Sequence, residues 1–211
     1  MKRTFRLHPA LTNNCLSRLG LFLLGTVGAL GSSSALAALG AEIPWVTFEA
    51  ELMRTTGTVL GPEYGPHRLE TESSGQRCVR LDRAGAAVEF TATARFDSFV
   101  VRYNLPDATT GGGTASRLHL LVNGRIVGDL PLTSRNAWLY GTYPFSNDPA
   151  QGKPRNFYDE LRLKGLTIGP DDVVRLEKAT DDGIPCVIDL VDLELMPPPV
   201  ARPAGSLSLL D

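Results

Sequence analysis

An all-β fold, an antiparallel two-sheet β-sandwich, is what this sequence predicts, on three observations. Helical periodicity is nearly absent beyond about residue 40, short alternating apolar and polar runs recur between Gly, Pro, Asn and Asp clusters, and two such runs flank Asn123-Gly124. Alternation with a period of two sets every second side chain on one face of a strand, and Asn-Gly suits the positive φ angles of a type I′ hairpin. Many short strands without long helices between them favour packed antiparallel sheets over an α/β arrangement.

The first residues stand apart from that pattern. Lys2, Arg3, Arg6 and Arg18 precede the apolar run LGLFLLGTVGAL, and small residues lead to Ala35-Leu36-Ala37. A basic region, a short apolar region and an A-x-A site in that order make a signal peptide over residues 1–37, cleaved after Ala37. An uncleaved anchor is the competing reading, but the run is shorter than the roughly 20 apolar residues a span needs. The expectation is a secreted or periplasmic protein, free of the membrane after cleavage. Processing leaves 17 basic against 23 acidic residues, a formal balance of −6 in place of −2. Such a balance argues against nucleic acid as a partner. The remaining length suits one domain with a sizeable core.

The strands then follow in order. WVTFEAELM alternates Val46, Phe48, Ala50 and Leu52 against Thr47, Glu49 and Glu51. RCVRL puts Val79 with Leu81, AVEFTA puts Val88 with Phe90, and SFVVRYNLP offers Phe99, Val101, Tyr103 and Leu105 to one side. RLHLLVNGRIVGDLPL is the hairpin, DELRLKGLTI reads as a strand or a short helical turn, and DDVVRLEKA alternates again. In the last run, CVIDLVDLEL, strict alternation sets Asp189 on the side of Val187, Val191, Leu193 and Leu195. A buried carboxylate needs a cation, a hydrogen-bonding partner or a catalytic reason. The segment PPPVARPAG, 197–205, has the composition of a stiff linker, and SLSLLD, 206–211, follows it.

Cys78 and Cys186 survive processing, and two cysteines leave open both a disulfide and two separately buried thiols. No zinc-type Cys/His spacing, no GxSxG elbow and no phosphate loop is present; Gly111-Gly112-Gly113 reads as a flexible turn. Adjacent acids such as Asp159-Glu160, Asp171-Asp172 and Asp181-Asp182 point to opposite faces of a strand or lie in turns. They do not make the paired carboxyls of a glycosidase.

The initial EAE, the Asn-Gly hairpin, NAWLYG and the closing IDLVDLE together resemble the carbohydrate-binding modules of families 6 and 35, which are jelly-roll sandwiches of the galactose-binding-like type. YPFSNDP, FYDELRL and IDLVDLE are more similar to the amino-terminal module of bacterial mycodextranase-like proteins, the α-1,3-glucanases and their β-helix relatives, where a proline-containing linker leads to the first β-helix strand. The likeness runs from Pro44 to Asp211. It implies a module over 44–196, the linker, and the start of a truncated β-helix domain at 206–211. The implied function is a non-catalytic module that binds polysaccharide and targets a β-helix glycoside hydrolase attached in cis, with the catalytic carboxylates on the β-helix. The alternative is an accessory module that packs on the β-helix without binding sugar.

The same resemblance implies a structural calcium ion held by Glu49, Glu51 and Asp189, a hard-cation set of carboxylate oxygens. Read from the residues alone, the glutamates line a solvated side and Asp189 is met by backbone amides or an arginine. For the glycan, Tyr64 and Trp138 match the family's aromatic positions, because sugar C–H faces stack on rings. Val187 stands where the family has a hydrogen-bonding asparagine. Further loop candidates are Tyr143, Asn147, Asp148, Arg155 and Asn156 in YPFSNDPAQGKPRNFYDE.

Overall fold

Alternation becomes strands throughout residues 44–152 and 154–196, the residues described in a computed structural model of the chain. The expected signal peptide, proline-rich linker and β-helix start lie outside them. In chain order the strands are β1 (Trp45–Glu49), β2 (Arg54–Thr55), β3 (Thr58–Leu60), β4 (Cys78–Leu81), β5 (Ala87–Thr91), β6 (Phe96–Asn104), β7 (Ala115–Val122), β8 (Arg125–Thr133), β9 (Trp138–Leu139), β10 (Arg155–Asn156), β11 (Asp159–Ile168), β12 (Val173–Lys178) and β13 (Cys186–Glu194). Short 3-10 turns are the only helical pieces among the described residues.

One sheet has the order β11-β6-β13-β4-β3, with β1 also on β13; a second has the order β2-β5-β12-β7-β8; β9 and β10 form a separate ribbon. Every pairing is antiparallel. The alternating stripes meet in one core: Val79, Leu81, Phe99, Val101, Tyr103, Ile188, Val191 and Leu193 from the first sheet pack with Val88, Leu118, Leu120, Leu130, Leu132, Val174 and Leu176 from the second. Each such side chain, fully buried, contributes about 1.5–3 kcal/mol. Phe48 adds a stacked contact with Phe90 at 4.1 Å between ring centroids. The hairpin turns at Asn123 (φ 50°) and Gly124 (φ 76°), the expected left-handed pair.

Four local features differ from simple alternation. The first strand stops at Glu49, a 3-10 turn covers Ala50–Leu52, and Leu52 is left 82% exposed. The second concerns Asp189. Ile188 pairs with Tyr103 and Leu190 with Arg102, so Asp189 is the extra residue of a β-bulge. The bulge shifts the pattern by one, so Ile188, Val191 and Leu193 are the core residues and Asp189 is not part of their stripe.

The third is the Gly triplet, which is held rather than loose. All three glycines have positive φ, the Asp107 carboxylate accepts from Gly113 N–H (2.8 Å), and Tyr140 Oη donates to the other Asp107 oxygen. A Cβ on Gly111 would stand 1.9 Å from Pro149 Cγ. The fourth is Lys178 at the end of β12, which is fully buried and gives its ammonium to Ser116 (3.0 Å) and Asp182 (2.6 Å).

Cys78 and Cys186 are both free and buried. Cys186 lies opposite Leu81, at the far end of β4 from Cys78. Burial pushes their thiols up, to about 11 and about 12.

Candidate functional site

Asp189 has found an arginine. Ser74 N–H donates to its Oδ1 at 2.9 Å, and the Arg102 guanidinium pairs with Oδ2. Burial nevertheless raises this carboxyl to about 6, with Arg102 and the Ser74 amide pulling the other way. Arg102 also donates to the Glu72 carbonyl (3.2 Å) and lies 4.6 Å over the Tyr158 ring. Through Arg102 the bulge therefore braces Glu72 and Tyr158, two residues that line a cleft.

The cleft has a volume of about 340 Å³ and gathers the loop 67–72, the β9–β10 ribbon and the entry to β11. Its wall is aromatic at Trp138, Phe157 and Tyr158, and its polar groups are His67, Arg68, Glu72, Arg155 and Asn156. Trp138 is half-buried and donates its indole N–H to the Leu105 carbonyl (3.2 Å), which fixes the ring. Asn156 accepts from Asn104 Nδ2 at 2.6 Å. The Arg155 guanidinium sits 4.7 Å over the Phe145 ring. A second hollow adjoins the first, sharing His67, Pro154 and Arg155 and adding Tyr143 and Phe145.

Of the sequence candidates, Trp138, Tyr143, Arg155 and Asn156 come together here. Tyr64 is 74% exposed but does not line the cleft, and Asn147 is exposed outside it. Asp148 caps a 3-10 turn by accepting from Ala150 N–H (3.0 Å). His67, Arg68, Glu72, Phe157 and Tyr158 were not predicted as a group. Their positions are set by long-range contacts, such as Tyr158 Oη to the Leu69 carbonyl (3.3 Å), which leave no local signature.

The acidic set is partly assembled beneath the Ser74 loop. Ser74 Oγ donates to Glu49 Oε1 (2.8 Å), whereas Glu49 Oε2 and Glu51 Oε2 are buried without a hydrogen-bond partner. Burial and the neighbouring Glu49 charge raise the Glu51 carboxyl above its ordinary value, against a backbone hydrogen bond that lowers it. Both Asp189 oxygens are engaged, and among the described residues no group of three His, Cys, Asp or Glu is arranged to hold a metal ion.

Among the solved structures that share this architecture are three described as a catalytic domain or catalytic unit. The Agl-KA catalytic domain matches with a TM-score of 0.71 and 28% identity, covering 80% of this chain and 30% of its own. The catalytic unit of a thermostable GH87 α-1,3-glucanase from Streptomyces thermodiastaticus strain HF3-3 matches with 0.65 and 34%, covering 80% and 29%. A GH87 α-1,3-glucanase catalytic domain in complex with nigerose matches with 0.69 and 27%, covering 81% and 31%. Each of these descriptions places the shared fold within a catalytic domain. Residues 42–196 match the family described as alpha-1,3-glucanase catalytic domain D1, and the chain belongs to that family. Comparison with curated proteins gives no match. The chain spans about 30% of the length of the solved enzymes it resembles.

This corrects the reading as a carbohydrate-binding module of the family 6 and 35 type. The expected non-catalytic targeting role, its sugar-free accessory variant and the assignment as a non-enzyme give way to membership in a catalytic domain. The physical reason is that strand alternation, an Asn-Gly turn and an acidic last strand encode how two antiparallel sheets pack. They carry no information on whether the sheets serve a separate module or part of an enzyme.

Proposed function

We propose that this chain forms the D1 portion of a secreted or periplasmic enzyme that hydrolyses α-1,3-linked glucan. The observation that carries the reading is the family match over residues 42–196, supported by similar structures titled as α-1,3-glucanase catalytic domains, one of them with nigerose. The chain's own architecture is proposed to be a jelly-roll sandwich of the galactose-binding-like type, supported by two antiparallel sheets sharing one core. Its polysaccharide contact is the cleft with the adjoining hollow: a pyranose C–H face on Trp138 in the cleft or on Tyr143 in the hollow, with hydroxyls met by Arg155 and Asn156. Hydrolysis needs two carboxyls about 5 to 9 Å apart. Among the described residues Glu72 alone brings a carboxylate to the cleft, so the pair is proposed to lie in a β-helix portion in cis.

A structural calcium ion belongs to the same proposal, with Glu49 and Glu51 as its holders, since their two unpartnered buried oxygens suit a hard cation. Bound there, the ion would neutralise the carboxylates and tie the end of β1 to the Ser74 loop. Asp189 is a neighbour of this site, because Arg102 already answers its charge.

The test is a hybrid in which residues 42–196 replace the matching segment of the Streptomyces catalytic unit. Release of reducing sugar from α-1,3-glucan at a rate near the parent's supports the reading. A folded but inactive hybrid contradicts it.

A further inference from the structure

Two arginines end in the cleft without an acidic partner among the described residues. Arg68 and Arg155 both line it, and neither takes part in an ion pair among the described residues, in contrast to Arg102. The acids nearby answer only part of this charge: the Gly65 and Tyr64 amides, and then the Arg68 charge, hold the Glu63 carboxyl below its usual range, but Glu63 forms no ion pair with Arg68. Glu63 spends its Oε1 on the Tyr64 and Gly65 amides (2.9 and 2.8 Å). Glu72 is a single carboxylate against two guanidiniums, with His67 beside them. Arg155 is also held in orientation by the Phe145 ring, and stacking on that ring leaves its N–H edge free to donate.

A neutral sugar would use the aromatic wall and leave this charge unanswered. A guanidinium fork matches a carboxylate with two parallel hydrogen bonds, shorter and stronger than those to a hydroxyl. We propose that the cleft takes a sugar unit bearing a carboxylate, of the uronate type, with the ring against Trp138 and Phe157 and the carboxylate between Arg68 and Arg155. The inference rests on the reading that this cleft contacts glycan. It adds a substituent that α-1,3-linked glucose alone does not carry, so the site favours glucan chains with acidic branches or neighbouring acidic polymers.

The test titrates the chain with a glucuronosyl-glucose disaccharide and, separately, with nigerose, following the Trp138 indole N–H by NMR at low and high salt. The expected result is uronate binding at least about tenfold tighter than nigerose at low salt, weakening steeply as salt rises. Arg155→Gln should weaken uronate binding about tenfold, Arg155→Lys should restore part of it, and Arg68→Glu with Arg155→Glu should abolish it. Both arginines are exposed, so these variants keep the fold, which near-UV circular dichroism verifies. Nigerose binding as tight as the uronate, or uronate binding insensitive to salt, overturns the acidic preference while leaving the glycan cleft standing. No response to either sugar overturns both.

Discussion

Replacing Asp189 by Asn should remove a defined part of the pH dependence of folding. The Asp189 carboxyl is raised from 3.8 to about 6 in the folded chain, chiefly by burial, with Arg102 opposing. A carboxyl raised on folding adds stability below its unfolded value, and that stability is lost as pH rises through the folded value. The interval from 3.8 to about 6 corresponds to about 3 kcal/mol for a fully buried group. Since the Arg102 side chain is 30% exposed and can relax toward water, about 2 kcal/mol is the more realistic share. The assay is urea unfolding of both proteins at intervals between pH 4 and pH 7, in chelator so that no bound cation favours the charged form. Asp189→Asn leaves Arg102 facing a neutral group at every pH, as protonated Asp189 does at low pH, so the two profiles differ in shape only through the Asp189 titration. The difference between the two profiles should therefore fall with rising pH by about 2 kcal/mol, and parallel profiles would refute the burial argument.

Gly111→Ala should cost about 2–4 kcal/mol in urea unfolding, from its left-handed backbone and a Cβ 1.9 Å from Pro149, whereas Gly112→Ala, equally left-handed but open, should cost about 1 kcal/mol. For Asp182, burial opposes the charge, but hydrogen bonds from Lys178 and Ser116 outweigh it and hold the carboxyl below its usual range. Its stabilisation is thus present above pH 4 and lost on acidification. Lys178→Met should shrink that acid limb, leaving the part due to Ser116, Thr180 and the Ile184 amide, and destabilise the chain by about 3 kcal/mol at neutral pH. Calcium in large excess should raise the melting temperature by about 5 to 10 °C, and Glu49→Gln with Glu51→Gln should erase the shift; an unchanged melt removes the ion from the account. Native Cys78 and Cys186 should resist a thiol reagent at pH 8 and react on unfolding; fast native labelling would contradict their burial.

Strands and hairpin were legible because burial on one face imposes a period of two that any reader of the sequence can count. The bulge was not. One extra residue in CVIDLVDLEL is invisible to periodicity, and it moved Asp189 out of the stripe where alternation had put it. Leu52 misled for a related reason: the apolar spacing continues past Glu49 while the backbone turns away. Glycine triplets look flexible in composition, yet Asp107 holds Gly113 by a hydrogen bond and Pro149 leaves no room for a side chain at Gly111. The cleft and its adjoining hollow were half visible, through Trp138, Arg155 and Asn156 on the β9–β10 ribbon and Tyr143 between them. His67, Arg68 and Glu72 join it through contacts distant in sequence. The step from fold to activity failed where physics predicts it should, since packing rules do not distinguish a binding module from part of a catalytic domain.

The most direct measurement is reducing-sugar release from α-1,3-glucan by the hybrid carrying residues 42–196 in the Streptomyces catalytic unit, compared with its parent and with the hybrid bearing Trp138→Ala and Arg155→Gln. The account predicts activity near the parent's for the hybrid, with a raised KM in the double variant. A hybrid that folds and leaves the glucan intact would contradict the assignment of this chain to an α-1,3-glucan hydrolase.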